Sequence, residues 1–339
     1  MNSLSPPATV REIADVDHSR FHENIRPARQ PVVMRGLVRE WPAVGAALKG
    51  DEAIVDYLVR CGPLRPVQAI AARPEEGGRF FYNADLSGLN FIRGRGTLDE
   101  FLHDLLAAKA CDRPPAMAVQ SEIIPQVMPT FAEANTLSLL SGVDPRIWIG
   151  NRIRVAPHYD IKENIACCVA GRRRFTLFPP DQLANMYPGP FELTPAGTLV
   201  SMVDPAEPDL RRYPRFAEAW AFAQQAELEP GDAIYIPYAW WHGVESLEPV
   251  SILVNYWWFD APTGVAPPFD ALLHAILAYR HLPARDRAVW RMMLDHYVFD
   301  ANGDPAAHLP DHVKGILAPA SPDLFGRLRG TLKEILQRI

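Results

Sequence analysis

Near residue 269 the hydrophobic period of this chain changes, and that change limits the folds open to it. Upstream, short apolar runs of strand type are punctuated by proline and glycine. Downstream, Leu272, Leu273, Ile276 and Leu277, then Val289, Met292 and Met293, recur at helical intervals, and Leu324 to Ile339 reads as a last helix. Strands followed by a run of helices predict a mainly β domain over residues 1–265 with a helical region, 266–339, appended to it. The 33 prolines against 21 glycines agree, because proline fixes turns and cuts elements short.

Within the first region, residues 1–10 read as a loose lead-in. Pro31 to Gly36 reads as a short strand, Asp51 to Arg60 as a helix with Ile54, Val55, Leu58 and Val59 on one side, and Thr97 to Ala110 as a helix with a capping box from Thr97 to Glu100. Pro66 to Ile70 and Arg79 to Tyr82 carry a hairpin-type signal, as do Ile165 to Val169 and Phe175 to Phe178 around Gly171. Pro188 to Leu228 is a long connection, of the kind that serves a site.

The chemistry concentrates in two strand-like segments. Ile153 to Asp160 is apolar, and residues two apart on a strand share a face, so His158 and Asp160 point together. Ala233 to Pro237 follows the turn Glu229-Pro230-Gly231-Asp232 and leads through Trp240-Trp241 to His242, a third donor. Two imidazoles and one carboxylate on one face of a metal leave its other positions open, as non-haem Fe(II) oxygenases require. Alone, a His-x-Asp pair fits ordinary buried, hydrogen-bonded residues as well.

The order of motifs narrows the choice. His158-Tyr159-Asp160, Asn164, Gly171-Arg172-Arg173-Arg174-Phe175 and Leu177-Phe178-Pro179-Pro180-Asp181-Gln182 are followed by Pro230-Gly231-Asp232, Tyr235-Ile236-Pro237, Trp240-Trp241-His242, Glu245-Ser246-Leu247 and Asn255-Tyr256-Trp257. Over roughly residues 110–260 this resembles the cupin-like branch of the JmjC hydroxylases, which includes asparaginyl hydroxylases. The resemblance implies a double-stranded β-helix, the jelly roll of cupins. It also implies Fe(II) on His158, Asp160 and His242, with 2-oxoglutarate as cosubstrate and O₂ as oxidant.

In that branch the far carboxylate of 2-oxoglutarate meets a basic residue, usually lysine, at the position that is Arg173 here. Alone, Arg172-Arg173-Arg174 also fits a solvated basic turn. Two further supports are changed: Val155 stands where a hydroxyl is usual and Ala118 where a tyrosine is. Asn164 and Asn255 match amides near the cosubstrate and metal. On the substrate side the resemblance points to Arg212, Trp257 and Lys162, the last in place of a glutamine. The four tryptophans 240, 241, 257 and 258 fit core packing as well. The implied activity is hydroxylation of an unactivated C–H, foremost in a protein side chain. A modified RNA base, a small molecule, or a cupin that binds metal or ligand without oxidation remain alternatives.

Thirty-four basic against 40 acidic residues give a net charge of −6, so no global positive field recommends DNA or RNA as a partner. Cys61, Cys111, Cys167 and Cys168 lack Cys-x-x-Cys spacing, which predicts a reduced, cytoplasmic protein. No apolar run approaches the roughly 18 residues of a membrane span. The helices from Phe269 to Tyr297 carry apolar residues on more than one face, and in the resembling hydroxylases such helices form a homodimer, so a homodimer is expected here.

Overall fold

The computed structural model describes residues 4–62 and 64–338, and the chain divides between Phe259 and Asp260 into two compact units. The first is built on two sheets. Its N-terminal part supplies β1 (Ala8–Thr9), β2 (Arg11–Ala14), β3 (Val32–Arg35), β4 (Val67–Ala72), β5 (Arg79–Phe80), β6 (Phe91–Gly96) and β7 (Ala116–Ile123). The second part supplies β8 (Pro145–Gly150), β9 (Arg154–Tyr159), β10 (Glu163–Ala170), β11 (Arg173–Phe178), β12 (Gln224–Leu228), β13 (Ala233–Ile236), β14 (Trp241–Ser246) and β15 (Ser251–Trp258).

The last eight strands switch repeatedly between sheets. β13-β10-β15-β8 form the middle of a nine-stranded sheet, and β12-β11-β14-β9 the middle of a six-stranded one. All pairings among these eight are antiparallel. That is the double-stranded β-helix expected from the sequence. β2 and β3 extend the larger sheet at one end, and β7, β4 and β6 extend it at the other, with β6 as the edge.

Each crossing between sheets needs a corner. At Gly171 the backbone is left-handed, with φ of 68°, and a Cβ there would lie 2.6 Å from the Val250 carbonyl oxygen. Only glycine fits, and the corner turns β10 into β11 without pairing them. The hairpin read for these two strands is therefore replaced by a change of sheet. The other hairpin reading fails for a similar reason. β4 pairs with β6 and β7, whereas β5 crosses to the smaller sheet and pairs parallel with β9.

Residues 8–9, read as loose, pair parallel with β12, a strand hidden in the long connection. The helix Asp51–Arg60 buries Ile54, Val55 and Leu58, and Leu98–Ala108 carries the Thr97–Glu100 capping box. Both pack into the largest apolar cluster, beside Phe21, Trp41 and Tyr235. Cys61, Cys167 and Cys168 are buried, and Cys111 is exposed.

The second unit contains helices Pro268–Tyr279, Ala284–Tyr297 and Pro322–Leu336. Tyr279 stacks on Trp290 at 5.1 Å, tying the first two together. Neither of those two helices has a buried residue, and Leu272, Leu277, Trp290, Met292 and Met293 are all exposed. No helix among the described residues is long and apolar enough to cross a membrane.

Replacing Gly171 by alanine forces both a left-handed alanine and a clash with Val250. Denaturant melts of the Gly171→Ala variant should show a loss of more than about 1–2 kcal/mol, the usual cost of left-handed backbone for a residue with a Cβ. Gly94→Ala, where a Cβ meets nothing within 4 Å, should be nearly neutral.

Candidate metal centre and its cavity

The site forms where β9 and β14 run side by side. In their antiparallel register His158 lies directly opposite His242, so both imidazoles leave the sheet on one face, with ring centroids 4.3 Å apart. Asp160 follows the end of β9. Its backbone carbonyl accepts from Ala239 N–H at 2.9 Å, which pins it to the turn that precedes His242. Ala239 itself is held at φ of 61°, a conformation costly for a residue with a side chain and characteristic of built sites. One ligand atom from each of His158, Asp160 and His242 lies within 4.8 Å of the others.

Each imidazole is oriented by the same device. His158 Nδ1–H donates to the Ala156 carbonyl at 2.9 Å, and His242 Nδ1–H to the Trp240 carbonyl at 3.0 Å, two residues back in both cases. That fixes the tautomer and leaves each Nε2 as a lone-pair donor. Burial, reinforced by His158 and opposed by Asp160, brings the His242 imidazole down to about 4, so it is neutral and ready to ligate. Asp160 Oδ2 is buried with no hydrogen-bond partner and stands 3.6 Å from His242 Nε2. A buried, unpaired carboxylate oxygen beside two imidazoles, one of them held neutral by burial, is unfavourable without a cation. The residues present therefore fit a divalent metal, and two histidines with one carboxylate is the set used for non-haem Fe(II).

The three residues line a cavity of about 360 Å³ between the sheets. Arg173 reaches into it from β11. Its side chain is buried, Nε–H donates to Ser251 Oγ at 2.9 Å, and among the described residues no carboxylate lies within 4 Å of it. Burial pulls the guanidinium down to about 10, still charged at neutral pH. Ser246, its register partner on β14, has a buried hydroxyl without a partner. The arginine expected on a carboxylate thus has two serines beside it, Ser246 from the Glu245-Ser246-Leu247 motif and Ser251, which the sequence had not singled out. Val155 lines the cavity and Ala118 is buried outside its lining, neither offering a polar group.

Asn255 and Asn164 also line it. Trp148 Nε1–H donates to Asn255 Oδ1 at 2.8 Å, and Asn255 Nδ2–H donates to Asn164 Oδ1 at 3.2 Å. Trp257 is half-buried on the wall, edge to face with Trp148 at 5.7 Å, and its indole N–H is buried without a partner. Lys162 is exposed, its ammonium 5.6 Å from the Trp257 ring. Arg212 is not brought here. It is exposed in the long connection, its backbone held by Asp209 and its side chain over Tyr213, outside the cavity lining.

Several lining residues escaped sequence reading. Gln68, Arg93, Gln120 and Ser121 come from the strands that extend the larger sheet, and Pro195 to Gly197 and Val200 come from the long connection. Ser121 sits in a bulge between Val119 and Glu122, at φ of 57°, where its hydroxyl and carbonyl both accept from Arg146.

The cupin-like domain family matches residues 18–264, most of the chain. The chain belongs to this family. Curated relatives of this cupin-like domain include "Jumonji C domain-containing protein 5" of Drosophila melanogaster, 28% identical over 76% of this chain and 63% of that protein. "Lysine-specific demethylase JMJ31" of Arabidopsis thaliana is 34% identical over 38% of this chain, and "tRNA wybutosine-synthesizing protein 5" of Gallus gallus is 25% identical over 76% of this chain and 79% of that protein. The match spans only 22% of the demethylase and 26% of the zebrafish "HSPB1-associated protein 1 homolog".

If the three donors hold one metal, each contributes to its affinity. Metal analysis of protein loaded anaerobically with Fe(II) should give about one iron per chain for wild type. His158→Ala and Asp160→Ala should lose most of it, and full iron in both variants would sink the assignment.

Proposed function

We propose that this protein is an Fe(II)- and 2-oxoglutarate-dependent oxygenase that hydroxylates an unactivated C–H bond, foremost in a protein side chain. The observation behind this reading is one cavity that joins a His–His–carboxylate set to a buried guanidinium with no carboxylate within 4 Å among the described residues. Membership of the cupin-like family, with relatives named for the Jumonji C domain, supports it.

His158, Asp160 and His242 would hold the iron, which with 2-oxoglutarate and O₂ supplies the oxidising chemistry. The protein's own part is positional. Arg173, steadied by Ser251, offers a fixed two-nitrogen fork to a distal carboxylate, and Ser246 offers a further hydroxyl. Val244, Phe175, Leu253 and Val155 line the space with apolar surface and exclude water from the reacting centre. Asn164 and Asn255 keep amide groups in fixed orientation at the cavity wall. The unpaired Trp257 N–H and the exposed Lys162 stand on the substrate side. Arg212 has no place in this proposal.

Leaving a buried carboxylate without its cation costs about 3–5 kcal/mol. Arg173→Ala should therefore raise the apparent KM for 2-oxoglutarate by two orders of magnitude or more while iron stays bound. An unchanged KM would mean that the anchor or the cosubstrate is different. Stoichiometric succinate from labelled 2-oxoglutarate in air separates an oxygenase from a metal-binding cupin, which would produce none.

The exposed apolar residues of helices Pro268–Tyr279 and Ala284–Tyr297 support a homodimer through this unit, since isolated chains rarely leave such a patch in water. Light scattering of the full chain should give the dimer mass, and Trp290→Arg should shift it to monomer. A monomer mass for the unaltered protein would refute the pairing.

A further inference from the structure

Strand β6 has the sequence Phe-Ile-Arg-Gly-Arg-Gly and is the outer edge of the nine-stranded sheet. On one side it pairs along its whole length with β4, from Phe91–Ala72 to Gly96–Val67. On the other side no strand among the described residues pairs with it, so every second residue turns an unpaired N–H and C=O outward. Four features set this edge apart. First, it opens on the cavity of the His–Asp–His cluster: Arg93 lines that cavity together with Gln68 of the neighbouring strand and Pro195 to Gly197 of the long connection.

Second, the glycines have no structural cause. Gly94 and Gly96 do not have left-handed backbone, a Cβ at Gly94 would meet nothing within 4 Å, and one at Gly96 would make only ordinary contact with Glu100. Glycine within a strand weakens it and often marks the close approach of another backbone. Third, Ile92 is 75% exposed on the same strand, an apolar group left for a partner to cover. Fourth, the charge is uncompensated. Among the described residues no carboxylate lies within 4 Å of Arg93, Arg95, Arg146 or Lys162, in a chain whose net charge is −6. Arg146 and Lys162 flank the ring of Trp257, which lines the same cavity.

We propose that β6 is the docking edge for the substrate: an acidic protein segment adds to it as an extended strand and presents one side chain to the metal centre. Backbone hydrogen bonds give the segment its direction and register. Alternate side chains meet Arg93 and Arg95, so carboxylates are favoured two residues apart. The cavity, at about 360 Å³, takes a single side chain rather than a folded surface. This inference rests on the protein-hydroxylase reading above and deepens it by naming the substrate class.

The test uses full-length protein loaded anaerobically with Fe(II) and 2-oxoglutarate. The probes are a twelve-residue peptide of alternating Glu and Thr, its Lys–Thr counterpart, and an oligouridylate of equal charge to the first. Amide hydrogen exchange is read across Phe91–Gly96. The Glu–Thr peptide should slow exchange on alternate amides of this strand, and the Lys–Thr peptide should not. In the Arg93→Glu, Arg95→Glu double variant the Glu–Thr peptide should bind at least about tenfold more weakly, and the Lys–Thr peptide should now protect the strand. That reversal shows that the variant is folded and that charge selects the partner.

Protection of some other segment by the Glu–Thr peptide, or absence of protection by it, would overturn the proposal. So would oligouridylate protecting β6 where the peptide does not, which would make the edge a nucleic-acid surface. Consumption of 2-oxoglutarate by the unaltered protein without any peptide is measured alongside, after air is admitted. If it occurs while β6 stays unprotected, docking fails and the oxygenase reading stands; protection without consumption shows the reverse.

Discussion

The pairing of β9 with β14 is the constraint on which the site depends. Antiparallel register puts His158 opposite His242, and a slip of one residue would turn one imidazole to the far face. The register is not held by those two strands alone. Val155 and Val244 pair further along the same ladder, and β14 is also paired with β11 from Trp241–Phe178 to Ser246–Arg173. One strand therefore carries His242 at one end and, at the other, the serine whose register partner Arg173 lines the cavity. The His–Asp–His cluster and the buried guanidinium are thus spaced by a single β-ladder.

Arg173 shows what such a scaffold must tolerate. A guanidinium with 4% exposure and a single hydrogen bond to a serine is costly in isolation, and burial already weakens its hold on the proton. Its neighbours on the same strand behave otherwise. Arg172 pairs with Glu248 and Arg174 with Glu227 and Glu245, all at the surface. Three consecutive arginines thus divide by strand alternation into two ion-paired cations on the outer face and one buried cation. The corner at Gly171 decides which of the three faces inward.

Much of this was legible in the residues. The ligand triad, the cap at Thr97 and the change of period near residue 269 are local patterns, and local patterns survive in sequence. The strands were harder where their partners were distant. β6 is rich in glycine and arginine, and β12 reads Gln-Gln-Ala-Glu-Leu; neither alternates as a half-buried strand should, because both take their order from neighbours far along the chain. The two hairpin readings failed because a jelly roll sends consecutive strands to opposite sheets. Ser251 had no signal of its own, and Ser246 stood in a motif without a role: a serine at a strand terminus gains meaning only from the arginine that folding sets against it.

An open edge at the end of a nine-stranded sheet is also a hazard, since it can template the pairing of a second chain. The charges on β6 answer that hazard selectively. If two copies met edge to edge in antiparallel fashion, Arg93 and Arg95 of one would face the same pair of the other, and like charges directly opposed disfavour the ladder. Any partner carrying carboxylates at that spacing is favoured by the same two residues. Protection against self-association and selection of an acidic segment are then one property of the strand. Its glycines fit this view, because they leave the backbone accessible while the arginines decide what approaches it.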